Sequence, residues 1–410
     1  MTPSAIPTDG ESHHHQDIQT NVISNDTTNI NGAVHSDGSM QSHSNGTRSN
    51  GVHSYDAKLN ATTNGINGTK PKYPKLAPIA IVGIGCRLPG DVSNPEEFWE
   101  LCSRARSGWS EIPKSRFNHD AFHHPNPDKI GCYNPRGGHF LQEDLALFDA
   151  PFFQLTEKEA ISLDPQQRLL LECTYEALEN GGIPKQSLVG QNVGVFVGGS
   201  FADYELNNCR DPDTAPMYQA TGCAAALLAN RLSYYFDFSG PSFTVDTACS
   251  SSLSALHLAC QSLRSGESSQ AIVASCHLNI LPDYFITMSM SRSVHSILQQ
   301  ILTSLTRGSL FSNEGKSFAF DHRGSGFGRG EGVGCVVLKP LDEAIKANDS
   351  IRAVIVGSGM NQDGRTKGIT MPSVDAQVAL MKSVYEKSGL DPKEVGYIEA
   401  HGTGTKGSYS

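Results

Sequence analysis

From residue 79 to residue 85 every position is apolar or glycine, and runs of this kind recur along the chain between stretches with helical spacing. A strand whose successive side chains are all apolar has both faces buried, so helices must cover both sides of its sheet. Residues 193–197, 271–275, 334–338, 351–356 and 395–398 read as further strands. Between them, Asn94-Pro95-Glu96-Glu97 starts a helix, with proline in its first turn and acids at its positive end. Asp164-Pro165 opens a stronger one over residues 169–180, closed by Gly181-Gly182. The alternation predicts an α/β fold with helices on both faces of a sheet. Residues 111–150, rich in Pro, Gly, Asn and His, read as a long irregular excursion.

This pattern begins only near Lys75. Residues 1–74 are crowded with Asn, Ser, Thr, Gly and His and cannot bury enough apolar surface to offset their ordering entropy, so they read as a disordered leader. The leader holds six acidic and four basic residues, which leaves most of the net charge of −10 on the globular part. A moderately acidic chain with no basic cluster is a poor match for nucleic acid or an anionic membrane. No signal-peptide pattern opens the chain, and no apolar run reaches membrane-spanning length. The Asn-x-Thr triplets at Asn25, Asn45, Asn60 and Asn67, and the run His13-His14-His15, read as products of biased composition rather than as modification or metal sites. Ten cysteines lie scattered without a C-x-x-C pair, which points to a reducing, cytoplasmic setting.

Three places carry chemistry worth weighing. Gly83, Gly85 and Gly90 superficially suggest a dinucleotide loop, but their spacing is wrong and Pro89 stands where the phosphate-binding helix should begin. Nucleotide binding is therefore rejected. Cys249 follows the β-prone stretch from Ser242 and precedes small, helix-compatible residues, which places it at a strand-to-helix turn. The positive end of a helix favours the nucleophilic thiolate, although from the local pattern alone a small side chain packed at a tight turn is the commoner reading. His401 stands after residues 395–398 and before the Gly-rich turn Gly402-Thr403-Gly404, where its ring could exchange a proton or simply be a satisfied structural group.

Seven segments in order are PIAIVGIGCRLPG (78–90), LDPQQRLLLE (163–172), VGVFVGG (193–199), VDTACSSSLSALHLA (245–259), GRGEGVGCVVLK (328–339), GSGMNQDG (357–364) and EAHGTGT (399–405). Together they resemble the β-ketoacyl synthase family, specifically ketosynthase domains of the fungal highly reducing polyketide synthases. The resemblance implies a thiolase-like, layered α-β-α-β-α fold, usually homodimeric. Its ketosynthase domain would cover residues 75–406, as an N-terminal half of about 75–330 and the start of a C-terminal half of about 331–406, the second half incomplete. The resemblance also implies a reaction. Cys249 would accept an acyl chain from the phosphopantetheine thioester of an acyl carrier protein, and its backbone N–H would form half of an oxyanion hole. A malonyl thioester would then lose carbon dioxide and attack the acyl-Cys carbonyl, with His401 assisting decarboxylation. No metal and no directly bound cofactor are implied.

The sequence departs from the family twice. Where the family continues to a lysine, a second histidine and a Gly/Phe-rich loop, the chain reads Lys406 and then Gly407-Ser408-Tyr409-Ser410. The segment 291–309 has no counterpart in the family, although Ile297, Leu298, Ile301, Leu302 and Leu305 have the spacing of an amphipathic helix. Two expectations follow: a ketosynthase that self-acylates without completing condensation, or a non-catalytic fragment of a synthase. Both anomalies abut well-matched sequence, which reads as retained introns. Sequencing the transcript is expected to show a spliced message without codons 291–309 and 407–410; a spliced message that keeps both would sink this reading.

Overall fold

The computed structural model describes residues 76–404, except 127–128, 201, 291–309, 367 and 369–370. The expected leader, the segment 291–309 and the end at 407–410 lie outside the described residues. In chain order come strand β1 (Ile79–Arg87), helix α1 (Pro95–Ser103), strand β2 (Trp109–Glu111), the short helix α2 (His119–Phe122) and strand β3 (Gly137–His139). Helices α3 (Glu157–Ser162) and α4 (Pro165–Asn180) lead to strand β4 (Val193–Gly198). Helices α5 (Asp203–Asn208), α6 (Gln219–Cys223) and α7 (Leu227–Phe236) then separate β4 from strand β5 (Ser242–Val245). Helix α8 (Ser251–Ser265), strand β6 (Gln270–His277) and helix α9 (Asp283–Met290) follow. Last come strand β7 (Gly332–Pro340), helix α10 (Leu341–Lys346), strand β8 (Ala353–Ile355) and helix α11 (Val374–Ser388).

Six strands form one sheet in the order β5-β4-β6-β7-β1-β8. β5, β4 and β6 run parallel, and β7 joins antiparallel to both β6 and β1. The period-two geometry of a strand sorts the apolar runs between two cores. Ala80, Val82, Val195, Val197, Ile272, Ala274, Cys335 and Val337 face α4 and α7. Ile79, Phe196, Ala271, Val273 and Leu338 face α8 on the other side. Helices on both faces were expected from runs without polar interruption, and that is the arrangement seen.

The glycines of β1 serve this layering rather than a phosphate. A Cβ on Gly83 would lie 2.1 Å from the Ala177 carbonyl oxygen, and one on Gly85 would lie 2.3 Å from that of Cys173. Both carbonyls belong to α4, so its backbone rests directly on β1. α4 is set in place by Asp164, whose carboxylate caps the Gln166 N–H at 2.8 Å, and by Pro165 in the first turn.

Two strand expectations change. The run 351–356 pairs only over Ala353–Ile355, at the sheet edge against β1. Residues 395–398 form no strand, because their backbone finds no ladder partner among the described residues; Tyr397 is largely exposed there. An apolar run predicts extension, but pairing needs a neighbour. The excursion 111–150 is mostly irregular, yet it pairs β2 with β3 and supplies Ile112, Tyr133 and Phe140 to a third core with Phe285 and Phe311. No helix among the described residues is long and apolar enough to cross a membrane.

Gly85→Ala is expected to lower the urea unfolding midpoint by the equivalent of about 1–3 kcal/mol, because the rigid α4 backbone has to move. Gly334→Ala on β7, where an added methyl meets open space, should shift it by less than about 0.5 kcal/mol. Equal midpoints for the two variants would contradict close packing of α4 on β1.

Candidate functional site at the carboxyl edge of the sheet

Three parallel strands end at one edge, the usual place for a site in such sheets. Cys249 leaves the end of β5 in a single 3-10 turn, Ala248–Ser250, that runs straight into α8. The serines of this stretch build the turn. Thr247 N–H donates to Ser251 Oγ at 2.9 Å, and Ser251 Oγ donates onward to the Ala248 carbonyl at 2.7 Å. Thr247 Oγ1 meets Ser254 Oγ at 2.8 Å, and Ser250 Oγ donates to the Thr247 carbonyl at 2.8 Å. Ala248 has φ 53°, a left-handed conformation that an L side chain adopts only under strain of about 1–3 kcal/mol. Its N–H donates to Asp246 Oδ1 at 3.0 Å. The network holds the bend that projects Cys249 outward, and the Cys249 side chain is exposed.

α8 reaches this position because β4 ends in glycine. A Cβ on Gly198 would lie 2.6 Å from the Ser252 nitrogen. The first turn of α8 thus lies on the end of β4, with the positive end of the helix at the same edge as Cys249.

The end of β6 contributes a polar cluster. Arg329, only 8% exposed, donates from Nε to Asn279 Oδ1 at 3.0 Å and from Nη2 to both Asn279 Oδ1 and His277 Nε2, the latter at 2.9 Å. Its Nη1 lies 3.7 Å from the Met288 sulfur. A guanidinium has no acceptor lone pair, so His277 Nε2 accepts and the imidazole proton sits on Nδ1. The 3.1 Å approach of His277 Nε2 to Asn279 Oδ1 is then two acceptors sharing one donor. Burial, reinforced by Arg329, pushes the His277 pKa down to about 3. Burial also lowers Arg329 to about 10, while Asp203, the Cys249 thiolate, Tyr284 and Glu331 pull it upward through their charge. Asp203 Oδ2 accepts the N–H groups of Ile280 and Leu281 at 2.9 and 3.0 Å, and burial raises its pKa. Tyr284 is raised by burial, then by Asp203 and Asp246.

Behind this cluster Glu331 is locked in place. Its two oxygens take Arg116 Nε and Nη2, each at 2.9 Å, with Asn279 N–H and Leu141 N–H at 3.0 Å. His401 comes from the last four described residues of the chain. The residue is exposed, yet partial desolvation of the imidazole lowers its pKa with no charged group contributing. The following Gly402 and Gly404 have positive φ, and a Cβ on either would press on Ala319 or Phe318. The end of β6 thus gathers Arg329, His277, Asn279 and Asp203 into one buried polar cluster. Sequence reasoning missed Arg329, His277 and Asn279. The signal was an arginine and a glutamate two apart among glycines, directly before a buried strand. Among the described residues no group of three His, Cys, Asp or Glu is placed to hold a metal ion.

Comparison with known proteins bears on this edge. The family profile described as Beta-ketoacyl synthase, N-terminal domain, matches residues 76–344, and the one described as Beta-ketoacyl synthase, C-terminal domain, matches residues 352–408. Highly-reducing polyketide synthase 1 of Aureobasidium melanogenum is 61% identical over 332 residues, which are 81% of this chain and 14% of that protein. Highly reducing polyketide synthase tstA of Talaromyces stipitatus is 53% identical over 331 residues, 80% of this chain and 12% of that protein. The chain thus spans a small part of the length of these relatives. Among solved structures, the oxazolomycin ketosynthase domain OzmH KS7 of Streptomyces albus JA3453 superposes with a TM-score of 0.71 at 33% identity, covering 81% of this chain and 54% of that one. A ketosynthase from module 6 of the bacillaene synthase of Bacillus subtilis 168 gives 0.69 at 34%, covering 81% of this chain and 52% of that one. The fold is the expected thiolase-like one, of which the described residues show one sheet covered by helices on both faces.

Buried neutral His277 gives the fold a pH dependence. Below its ordinary 6.5 the unfolded chain binds a proton that the folded chain refuses until about pH 3. The unfolded state then holds more protons, so this residue's contribution to stability is full above pH 6.5 and is lost as pH falls toward 3. The loss reaches at most about 1.4 kcal/mol per pH unit. His277→Gln should flatten the drop in urea midpoint between pH 7 and pH 4; identical slopes for the two proteins would refute this.

Proposed function

The chain belongs to the β-ketoacyl synthase family, and on that premise we propose that it is the condensing ketosynthase of a highly reducing polyketide synthase. The observation that carries this reading is the strained turn that presents an exposed thiol, Cys249, at the N-terminus of α8. In the first step the Cys249 thiolate attacks an acyl thioester carbonyl. A C–S bond to Cys249 forms, the phosphopantetheine sulfur leaves as a thiolate and takes a proton, and the acyl chain rests on Cys249. The Cys249 backbone N–H is the candidate donor for half of the oxyanion hole of the tetrahedral intermediate. In the second step a malonyl thioester loses carbon dioxide, and the resulting carbanion attacks the acyl-Cys carbonyl and releases the Cys249 thiolate. His401, neutral at pH 7, is the candidate hydrogen-bond donor to the enolate oxygen formed on decarboxylation.

Neither step changes the oxidation state of a cofactor, so the reading calls for no metal or redox group. It calls for an acyl carrier protein as the donor of both thioesters, for a homodimer as the working assembly, and for a cytoplasmic setting. Incubation of the full chain with a short acyl thioester, followed by peptide mass spectrometry, is expected to find the acyl mass on the Cys249 peptide. Cys249→Ala should lose it entirely. Label that persists in Cys249→Ala would overturn the assignment, and an unlabelled parent chain would favour a fragment without catalysis.

A further inference from the structure

We propose that Ser251 is a positioning residue for Cys249: its buried hydroxyl clamps Ala248 in the left-handed conformation from which the thiol leaves the turn. This deepens the reading of Cys249 as the acyl acceptor and rests on it.

Ala248 directly precedes Cys249, and its φ of 53° sets the direction in which the chain enters α8. An L residue returns to the right-handed or extended region unless its neighbours prevent it. The Ser251 hydroxyl grips the chain on both sides of that residue. Its oxygen accepts the Thr247 N–H at 2.9 Å, and its proton goes to the Ala248 carbonyl at 2.7 Å. The Ser251 backbone N–H donates to the same carbonyl, so one residue closes the turn twice. Ser251 is itself fixed. It is 4% exposed, and a Cβ on Gly198 would lie 2.7 Å from its carbonyl carbon, so its backbone rests on the end of β4. Position therefore passes from the sheet through Ser251 to Ala248 and on to the thiol.

The commonplace role for a serine here is to cap a helix. A capping hydroxyl accepts an N–H two or three residues ahead of it. Ser251 does the reverse and reaches back to Thr247 and Ala248. Ser250 holds the cap position of α8, and its side chain makes no cap bond. The other polar groups of the turn do less at Ala248. Ser250 Oγ and Ser254 Oγ reach Thr247 instead. Asp246 Oδ1 takes the Ala248 N–H, but that residue is exposed and water competes for its carboxylate. Thr247 is 8% exposed, so losing the Ser251 hydroxyl takes from its N–H an acceptor that water does not readily replace. The same loss frees the Ala248 carbonyl to turn, and Ala248 can then relax.

The test is the rate of iodoacetamide alkylation at Cys249 at pH 7, read by mass spectrometry of its peptide in the full chain, with circular dichroism as the check on folding. A thiol held at the positive end of α8 carries more thiolate at that pH than one swung away from it. Ser251→Ala is expected to slow the reaction by about five- to tenfold. Adding Ala248→Gly should bring the rate back to within about threefold of the parent, because glycine takes positive φ without strain. Glycine restores no hydrogen bond, so it could not repair a hydroxyl that only stabilises the head of α8. A folded Ser251→Ala that reacts as fast as the parent, or faster, overturns the proposal, as does a double variant that stays slow. If Ser251→Ala does not fold, the double variant decides. Folded with a rate near the parent's, it supports the clamp; slow or unfolded, it overturns it. Alkylation does not depend on acyl transfer. Slowing and rescue without acyl label on the parent would sink the ketosynthase reading alone. Acyl label with an unslowed Ser251→Ala would sink this inference alone.

Discussion

Glu331 and Arg116 meet in a bidentate ion pair with almost no exposure, and three regions of the chain converge on it. Arg116 comes from the irregular excursion, Glu331 from the approach to β7, and the Asn279 N–H that also binds Glu331 from the end of β6. Leu141 closes the ring from both sides, its N–H to Glu331 and its carbonyl to Arg116 Nη2 at 3.1 Å. Each carboxylate oxygen therefore receives one guanidinium donor and one backbone donor, which is how two buried charges recover what they lose on leaving water. Removing either partner would strand the other at about 3–5 kcal/mol. The pair also fixes the backbone on which Arg329, two residues away, reaches Asn279.

The arrangement couples stability to chemistry at short range. The same Asn279 donates its N–H to Glu331 and its side-chain Nδ2 to the Gly330 carbonyl at 3.0 Å, and its Oδ1 accepts from Arg329. A shift in the ion pair would therefore move the guanidinium and the buried cluster at the end of β6 with it. The strain at Ala248 works in the same direction. Hydroxyls of Ser250, Ser251 and Ser254, together with Thr247, hold the left-handed residue where a looser turn would relax. The runs of small residues around Cys249 thus serve a mechanical purpose, supplying short donors and acceptors without bulk at the head of α8.

Close approach is the other recurring device. Gly83 and Gly85 let α4 lie on β1, and Gly198 lets α8 lie on β4. The two helices cover opposite faces, so the sheet is gripped from both sides near the strands that carry the site. The glycines of β1 show how one sequence signal supports two stories. Spacing and Pro89 argued against a phosphate loop, and the contact with α4 supplies the reason those residues are glycine.

The sequence by itself determined the layering, because runs with no polar break leave a strand no solvent face and helical periodicity supplies what must cover it. It also determined the position of Cys249 at a strand-to-helix turn, since a change from β-prone to small residues is a local signal. Only the tertiary structure decided which polar groups gather at that edge of the sheet. Arg329, His277 and Asn279 are separated from Cys249 by tens of residues, and nothing in local spacing says that β4 lies between β5 and β6 or that β7 returns antiparallel. The same limit explains residues 395–398, where local composition favoured a strand and the missing element was a paired neighbour. Charge burial is likewise invisible in sequence. An arginine among glycines reads as exposed until the fold closes over it, and its lowered proton affinity follows from that closure.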